Sequence, residues 1–266
     1  MSIKLIAVDL DDTLLDHSRT ISPRARAAIA AAAAQGVTVT VATGRMFCSA
    51  LPYARQLGID VPLITYNGAL IKCGLSGETF RHLPLDMATA LNLLALFRDR
   101  GWYVQVYLDD VLYVRERDAN ARYYETIAGV ESVPVGDELW TPAGPPTKML
   151  AMGDPADIPA IEAAVRAVGG DRVYTAASKT NYLEMTDPAA NKGAALAFLA
   201  GRLGIDRAEV MAIGDSSNDL DMIEYAGWGV AMGNASPRVK EAAQAVTDAN
   251  DADGVAAAIE KFVLNK

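Results

Sequence analysis

Apolar runs of strand length alternate with helix-length stretches at both ends of this chain, and the alternation lapses in the middle. Residues 3–10 are almost continuously apolar until Asp9 interrupts them. Ser22 and Pro23 then open an alanine-rich stretch that stops near Gly36, with Ser22 placed as a cap and Pro23 at the first helical position. Residues 37–42 form a second β-rich run ending in Thr43-Gly44-Arg45, a helical stretch follows to Gly58, and residues 62–66 form a third run ending in Asn67-Gly68. The same order returns late. Residues 191–203 read as helix, 210–213 as a strand ending in Gly214-Asp215-Ser216-Ser217-Asn218-Asp219, and 219–226 as a short helix. Val230-Ala231-Met232 is a further strand before Gly233-Asn234, and helices are expected around 236–245 and 254–262. Strand–helix–strand alternation of this kind predicts parallel strands joined by crossover helices.

Between these blocks, residues 85–100 read as an amphipathic helix. Residues 102–108 and 111–115 alternate around Asp109-Asp110 as a hairpin. Strands near 148–152, 172–176 and 182–185 surround a helix at 158–168. The expected fold class is therefore α/β, a Rossmann-like parallel-sheet core (residues 1–82 and 186–266) interrupted by an α+β insert (residues 83–185).

In an open parallel sheet, ligands bind outside the carboxyl ends of the strands. Four runs of this chain end there in polar or acidic residues: Asp9 and Asp11, Thr43-Gly44-Arg45, Asn67-Gly68, and Asp215 with Asn218 and Asp219. Each has a plain structural alternative. Acids after a strand cap helices, and Thr43-Gly44 or Asn67-Gly68 alone is a turn. Their convergence on one edge is what argues for a site.

Asp9 and Asp11 stand two apart, so on an extended chain their side chains leave one face. With Asp215 from a neighbouring strand, three carboxylates would crowd a small volume, which raises their pKa values or demands a cation. Hard oxygen ligands suit Mg²⁺. A carboxylate can act as a nucleophile, and phosphoryl transfer needs mainly positioning and charge neutralisation. Lys192 stands in the first turn of a predicted helix, where the macrodipole disfavours a cation by ~0.3–1 kcal/mol. A phosphate there would reverse that sign; a solvated surface lysine is the alternative.

Composition narrows the field. The chain has 266 residues, 51% hydrophobic and 21% charged, with a formal charge of −9 and no basic stripe, so nucleic acid is not an expected partner. No run approaches the ~18 apolar residues of a membrane span, and no secretory signal is read. Cys48 and Cys73 have no CxxC spacing, which suggests free thiols in a reducing compartment and a cytoplasmic location. Only His17 and His82 are available, so a multi-histidine metal site or a Ser-His-Asp triad has little to draw on. Catalysis is pushed toward carboxylates.

These residues resemble a known family. Asp9-Leu10-Asp11-Asp12-Thr13-Leu14-Leu15, Thr43-Gly44-Arg45, Asn191-Lys192-Gly193 and Gly214-Asp215-Ser216-Ser217-Asn218-Asp219 are similar, in order, to the four motifs of the haloacid dehalogenase (HAD) superfamily. Residues 230–235 and Asn67-Gly68-Ala69 resemble its Cof-type sugar-phosphatase branch, and the insert resembles that branch's substrate-selecting cap. The resemblance implies a Mg²⁺-dependent phosphoric monoester hydrolase acting on a small phosphorylated metabolite. Asp9 would be the nucleophile and a metal ligand. Asp11 would be the general acid and then base, with its backbone carbonyl on the metal, and Asp215 a further metal ligand. Leu10, Thr43, Gly44, Lys192 and Asn218 would hold the phosphate, Asp219 would support the metal, and Arg45, Asn67 and Gly68 would face the substrate mouth. A phosphomutase or phosphotransferase on the same scaffold stays open, as does a non-catalytic phospho-accepting or metabolite-binding regulator. A receiver-type module would need its acceptor aspartate where this chain has Asn67. In the insert, Tyr107, Tyr113, Arg115, Lys148, Lys179 and Asn181 are the polar candidates for facing substrate.

Overall fold

The computed structural model describes residues 2–265. In chain order the elements are β1 (Leu5–Val8), α1 (Pro23–Ala34), β2 (Thr38–Val41), α2 (Phe47–Gln56), β3 (Pro62–Thr65), β4 (Leu70–Cys73) and β5 (Thr79–His82). Next come α3 (Met87–Arg100), β6 (Val104–Leu108), β7 (Val111–Val114), α4 (Ala119–Ala128), β8 (Ser132–Pro134), β9 (Lys148–Met152), α5 (Ile158–Gly169), β10 (Tyr174–Lys179) and β11 (Tyr182–Thr186). The last are α6 (Lys192–Leu203), β12 (Val210–Gly214), α7 (Leu220–Tyr225), β13 (Trp228–Ala231), α8 (Pro237–Ala242), β14 (Ala245–Val246) and α9 (Gly254–Phe262). They form two compact units, one running to Arg81 and resuming at Asn191, the other His82–Ala190.

The first unit is built on a parallel sheet in the order β14-β13-β12-β1-β2. All four residues of β1 are buried, as expected for a central parallel strand covered on both faces. Leu5 and Ala7 pack with Leu196 and Leu199 of α6 and Met222 of α7. Each fully buried side chain of this size contributes ~1.5–3 kcal/mol. β3 joins the sheet through a parallel bridge between Ala42 and Ile64, then folds back as an antiparallel hairpin onto β4. The chain leaves β1 toward β2 on one side and returns as β12 on the other. Such a reversal of strand order opens a crevice at the carboxyl end of the sheet, and Asp9 stands at that end of β1.

The second unit carries a six-stranded sheet in the order β10-β11-β9-β6-β7-β8, antiparallel except for β7 with β8. Val104, Val106, Met149, Ala151, Leu183 and Met185 point to one face and pack with Leu93, Leu94 and Phe97 of α3 and Ile161 and Val165 of α5. The alternate positions mix polar groups such as Gln105, Lys148 and Glu184 with apolar Leu150 and Met152. There Lys148 is buried, 3.5 Å from Glu184 and 4.7 Å above the Tyr107 ring. The hairpin tip uses Asp109 and Asp110 in left-handed conformations (φ 52° and 63°), the geometry of a tight two-residue turn.

Five elements were not anticipated. β4, β5, β8 and β14 have four residues or fewer, too short for an alternation to register. α4 has one buried residue, Ala121, so its apolar stripe is faint; Asp118 caps it by accepting from Ala121 N at 2.9 Å. The helix expected to 245 stops at Ala242, and Ala245–Val246 pairs with β13. The second unit runs past residue 185 because β11 continues to Thr186 and a turn follows, closed by Ala190 N–H on the Asp187 carbonyl at 3.0 Å.

Candidate active site

β1 ends at Val8, and Asp9 N–H still pairs with the Ile213 carbonyl at 3.0 Å. The chain then makes one wide helical turn, Leu10–Leu14, closed by Leu14 N–H on the Asp9 carbonyl and Leu15 N–H on the Leu10 carbonyl. Inside it Asp11 is extended and Asp12 is left-handed (φ 57°, ψ 11°). This corrects the expectation that Asp9 and Asp11 leave one face of a strand. The two-residue rule holds for extended backbone, and here the backbone coils. Asp9 is 6% exposed, whereas Asp11 is an exposed residue whose carboxylate accepts two hydrogen bonds from Arg45, at 2.8 and 2.6 Å.

The carboxylates that do cluster are Asp9, Asp215 and Asp219, all buried, with one oxygen from each within 4.8 Å of the others. Lys192 sits among them. It is the first residue of α6, fully buried, and its Nζ donates to Asp9 Oδ1 and Asp219 Oδ1 at 2.5 Å each. The surface-lysine alternative is thereby excluded. Local sequence explains the placement. The Asn191 side chain caps α6 by accepting from Ala194 N at 2.6 Å, and Gly193 lies so close to the Asp221 backbone that a Cβ would overlap its carbonyl. Burial pulls the Lys192 pKa down, but Asp219 and Asp9 outweigh it, so the ammonium stays charged. Burial pushes the Asp9 carboxyl well up; Lys192 pulls against it and Asp219 adds to the rise.

Asp219 spends both oxygens on the protein. Oδ1 takes Lys192, and Oδ2 accepts the backbone N–H groups of Asp215 and Ser216 at 3.0 and 2.9 Å. It therefore shapes the loop after β12 and anchors the lysine. Asp215 accepts hydroxyls from Thr13 and Ser216, both at 2.7 Å, and burial raises its pKa against those two bonds. When ionised, three buried carboxylates against one ammonium leave two negative charges uncompensated, and burial pushes Asp9 and Asp215 upward. An all-oxygen donor set with that charge fits a hard divalent cation. Asp9 and Asp215 would hold it: each Asp215 oxygen accepts only one hydroxyl and keeps a lone pair, whereas Asp219 already takes the Lys192 ammonium and two backbone N–H groups.

The remaining predicted residues line up beside this cluster. Thr43 Oγ1 accepts from Arg45 N at 3.2 Å, and Asn67 N–H donates to the Thr43 carbonyl at 3.0 Å, which ties the loops after β2 and β3 together. Asn218 Nδ2 donates to Asn67 Oδ1 at 3.1 Å. A Cβ on Gly44 would lie 2.9 Å from Asn67 Oδ1. The Arg45 guanidinium also lies 5.1 Å from the centre of the Tyr53 ring. Burial raises the Asp11 pKa, but the Arg45 bonds win and hold the carboxyl below its usual value. Leu10 is buried in the turn.

Gly68 has φ +96°, and a Cβ there would overlap the Asn191 carbonyl. Gly68→Ala is expected to cost about 1–3 kcal/mol, read by chemical denaturation.

Thr13, Ser216, Asn234 and Asn250 were given no site role from the sequence. Thr13, Ser216 and Asn234 lie inside quoted motifs. Asn250 gave no signal, because its bonds to Leu15 and Asn234 bridge distant segments.

A model of the haloacid dehalogenase-like hydrolase family matches residues 6–259. YxeH of Bacillus subtilis, which carries a provisional phosphatase name, is 34% identical over 271 residues, covering 99% of each chain. YitU of the same organism, a 5-amino-6-(5-phospho-D-ribitylamino)uracil phosphatase, is 31% identical over 266 residues, covering 97% of each. Among solved structures, a haloacid dehalogenase-like hydrolase from Bacteroides thetaiotaomicron superposes with a TM-score of 0.92 at 30% identity, over 98% of this chain and 100% of that one. This chain belongs to the haloacid dehalogenase-like hydrolase family, in agreement with the Cof-type resemblance, and within it is a phosphoric monoester hydrolase. Among the described residues no helix is long and apolar enough to cross a membrane.

Proposed function

We propose that the protein is a Mg²⁺-dependent phosphatase that hydrolyses a small phosphorylated metabolite through an aspartyl-phosphate on Asp9. The observation that carries this reading is the buried cluster of Asp9, Asp215 and Asp219 around Lys192. Lys192 occupies one oxygen of Asp9, and Oδ2 has no hydrogen-bond partner among the described residues. That oxygen attacks phosphorus while the ester oxygen leaves with a proton from Asp11. Asp11 then takes a proton from water, which attacks the same phosphorus and frees phosphate and Asp9. Asp9, Asp215 and the Asp11 carbonyl would hold the Mg²⁺, which would supply positive charge to the phosphoryl oxygens. Lys192 supplies more, with Thr43, Gly44, Asn218 and the Leu10 N–H binding those oxygens. To act as an acid Asp11 must be protonated. The two hydrogen bonds it accepts from Arg45 therefore loosen as substrate arrives, the phosphate dianion being the competing partner for the guanidinium.

The substrate class is a sugar or polyol phosphate, which the phosphorylated ribityl chain in the name of YitU supports. Residues 82–190 act as the cap that selects it, and Arg45, Asn67 and Gly68 stand at the mouth. Two free cysteines fit a reducing cytoplasm.

Purified protein with Mg²⁺ is expected to release phosphate from p-nitrophenyl phosphate with no sugar acceptor present, which a phosphomutase or phosphotransferase would not do. EDTA is expected to stop the reaction and excess Mg²⁺ to restore it. A rate indifferent to EDTA would reject the metal role. A panel of phosphorylated sugars, polyols and nucleotides, ranked by kcat/KM, identifies the substrate.

A further inference from the structure

The turn that carries Asp11 is held from outside by two asparagines that no step above uses. Asn234 Nδ2 donates to the Asp12 carbonyl at 2.8 Å, and Asn234 Oδ1 accepts from Asn250 N–H at 3.0 Å. Asn250 Nδ2 in turn donates to the Leu15 carbonyl at 3.0 Å. One amide thus fixes the middle of the Leu10–Leu14 turn and the other its far end. The two grip each other across 16 residues.

The platform behind them is firm. Gly233 N–H pairs with the Asp248 carbonyl at 3.0 Å, and Lys240 Nζ donates to the Gly233 carbonyl at 2.5 Å. Gly233 also lies against the backbone of residues 247–249, so closely that a Cβ would stand 2.7 Å from Ala249 N.

The turn needs such a hold. Asp12 is left-handed, a conformation that a residue with a Cβ adopts at a cost. Asp11 next to it is extended and exposed, and its carboxylate is held by Arg45; once that hold loosens for Asp11 to act as an acid, its direction depends on the backbone of the turn. Without the Asn234 bond, the turn rests on its closing bonds at Leu14 and Leu15 and on Thr13, and the Asp12 carbonyl loses its side-chain anchor. Asp11 is one residue away and moves with it, whereas Asp9 stays anchored by β1 pairing and by Lys192.

We infer that Asn234 and Asn250 are positioning residues, a paired-amide clamp that sets the direction of Asp11 toward the leaving group. This rests on the reading of Asp11 as the general acid. A misdirected acid slows departure of a basic alkoxide and hardly affects a stable aryloxide, since general-acid catalysis contributes typically ~10²–10⁴-fold where the leaving oxygen needs a proton.

The test compares kcat/KM, which reports formation of the aspartyl-phosphate, for p-nitrophenyl phosphate and for an alkyl phosphate such as a hexose 6-phosphate. Asn234→Ala is expected to lower the alkyl value roughly ten- to a hundredfold and the aryl value less than about threefold. Asn234→Asp keeps the shape and the acceptor for Asn250 N–H but sets an oxygen against the Asp12 carbonyl. It is expected to show the same selective loss, and serves if the alanine variant does not fold. In an Asp11→Ala background, Asn234→Ala is expected to cost nothing further on the alkyl ester, because both changes remove one function. Equal losses on the two esters, no loss, or a further tenfold loss in the Asp11→Ala background would each overturn the clamp while leaving the phosphatase reading intact. Wild-type protein inactive on both esters would remove both.

Discussion

Asp9→Asn is expected to abolish phosphate release, by on the order of 10⁴-fold or more, because loss of a covalent nucleophile elsewhere costs about 10⁶ in kcat. The replacement keeps the shape of the side chain and changes only the attacking atom. The fold is expected to survive, since Asp219 still neutralises Lys192. Stability in EDTA is expected to equal or exceed that of the wild type. Three buried carboxylates share one ammonium, burial already pushes Asp9 upward, and an amide removes one of the charges that resist burial. Rate measurements with p-nitrophenyl phosphate, together with a thermal melt, check both halves. An unchanged rate would end the assignment of Asp9 as nucleophile. A collapsed melt would mean that Asp9 holds the fold as well.

Lys192→Met should have the second largest effect, on stability as much as on rate. Methionine fills a similar volume but leaves Asp9 and Asp219 buried with no cation between them. Removing one partner of a buried ion pair typically costs ~3–5 kcal/mol, which for a chain of this size lowers the thermal midpoint by about ten degrees. The rate is expected to fall by about 10²–10³, the usual cost of deleting one preorganised charge at a developing oxyanion. The pH dependence has a definite sign. Asp9 is already pushed above its ordinary value in the folded protein, and loss of Lys192 pushes it higher. The folded state then binds more protons than the unfolded one, so the stability of the variant rises as pH falls from neutrality toward the ordinary carboxylate range. The deficit against wild type should therefore shrink at pH 5. A deficit that grows on acidification would mean that Lys192 does not face ionised carboxylates.

The expected parallel-sheet core was legible because β1, β3 and β12, buried along their whole lengths, leave near-continuous apolar runs in the sequence. The ends of those runs and of β2 were equally legible, since the polar residues Asp9, Thr43, Asn67 and Asp215 follow them abruptly. In the insert, the β6–β7 hairpin announced itself through Asp109-Asp110, a pair that accepts two left-handed residues in succession. By contrast α4 and β8 were silent. Each has a single buried residue, Ala121 and Ser132, and one residue sets no period.

Sequence alone therefore determined the fold class, the family and which strand ends carry polar residues, because burial on two faces and turn chemistry are written in neighbouring positions. Tertiary structure decided which of those residues meet. Lys192 and Asp9 lie 183 positions apart, and no local pattern distinguishes a buried bridging lysine from a solvated one at a helix start. The three carboxylates that cluster are Asp9, Asp215 and Asp219, with Asp11 turned to Arg45, because the chain coils at Asp12 instead of remaining extended. The amides that hold this coil come from Asn234 and Asn250, more than 200 residues further along the chain. Short-range sequence fixes backbone preferences residue by residue. The direction of a carboxylate in a site depends on the groups that long-range packing places around it.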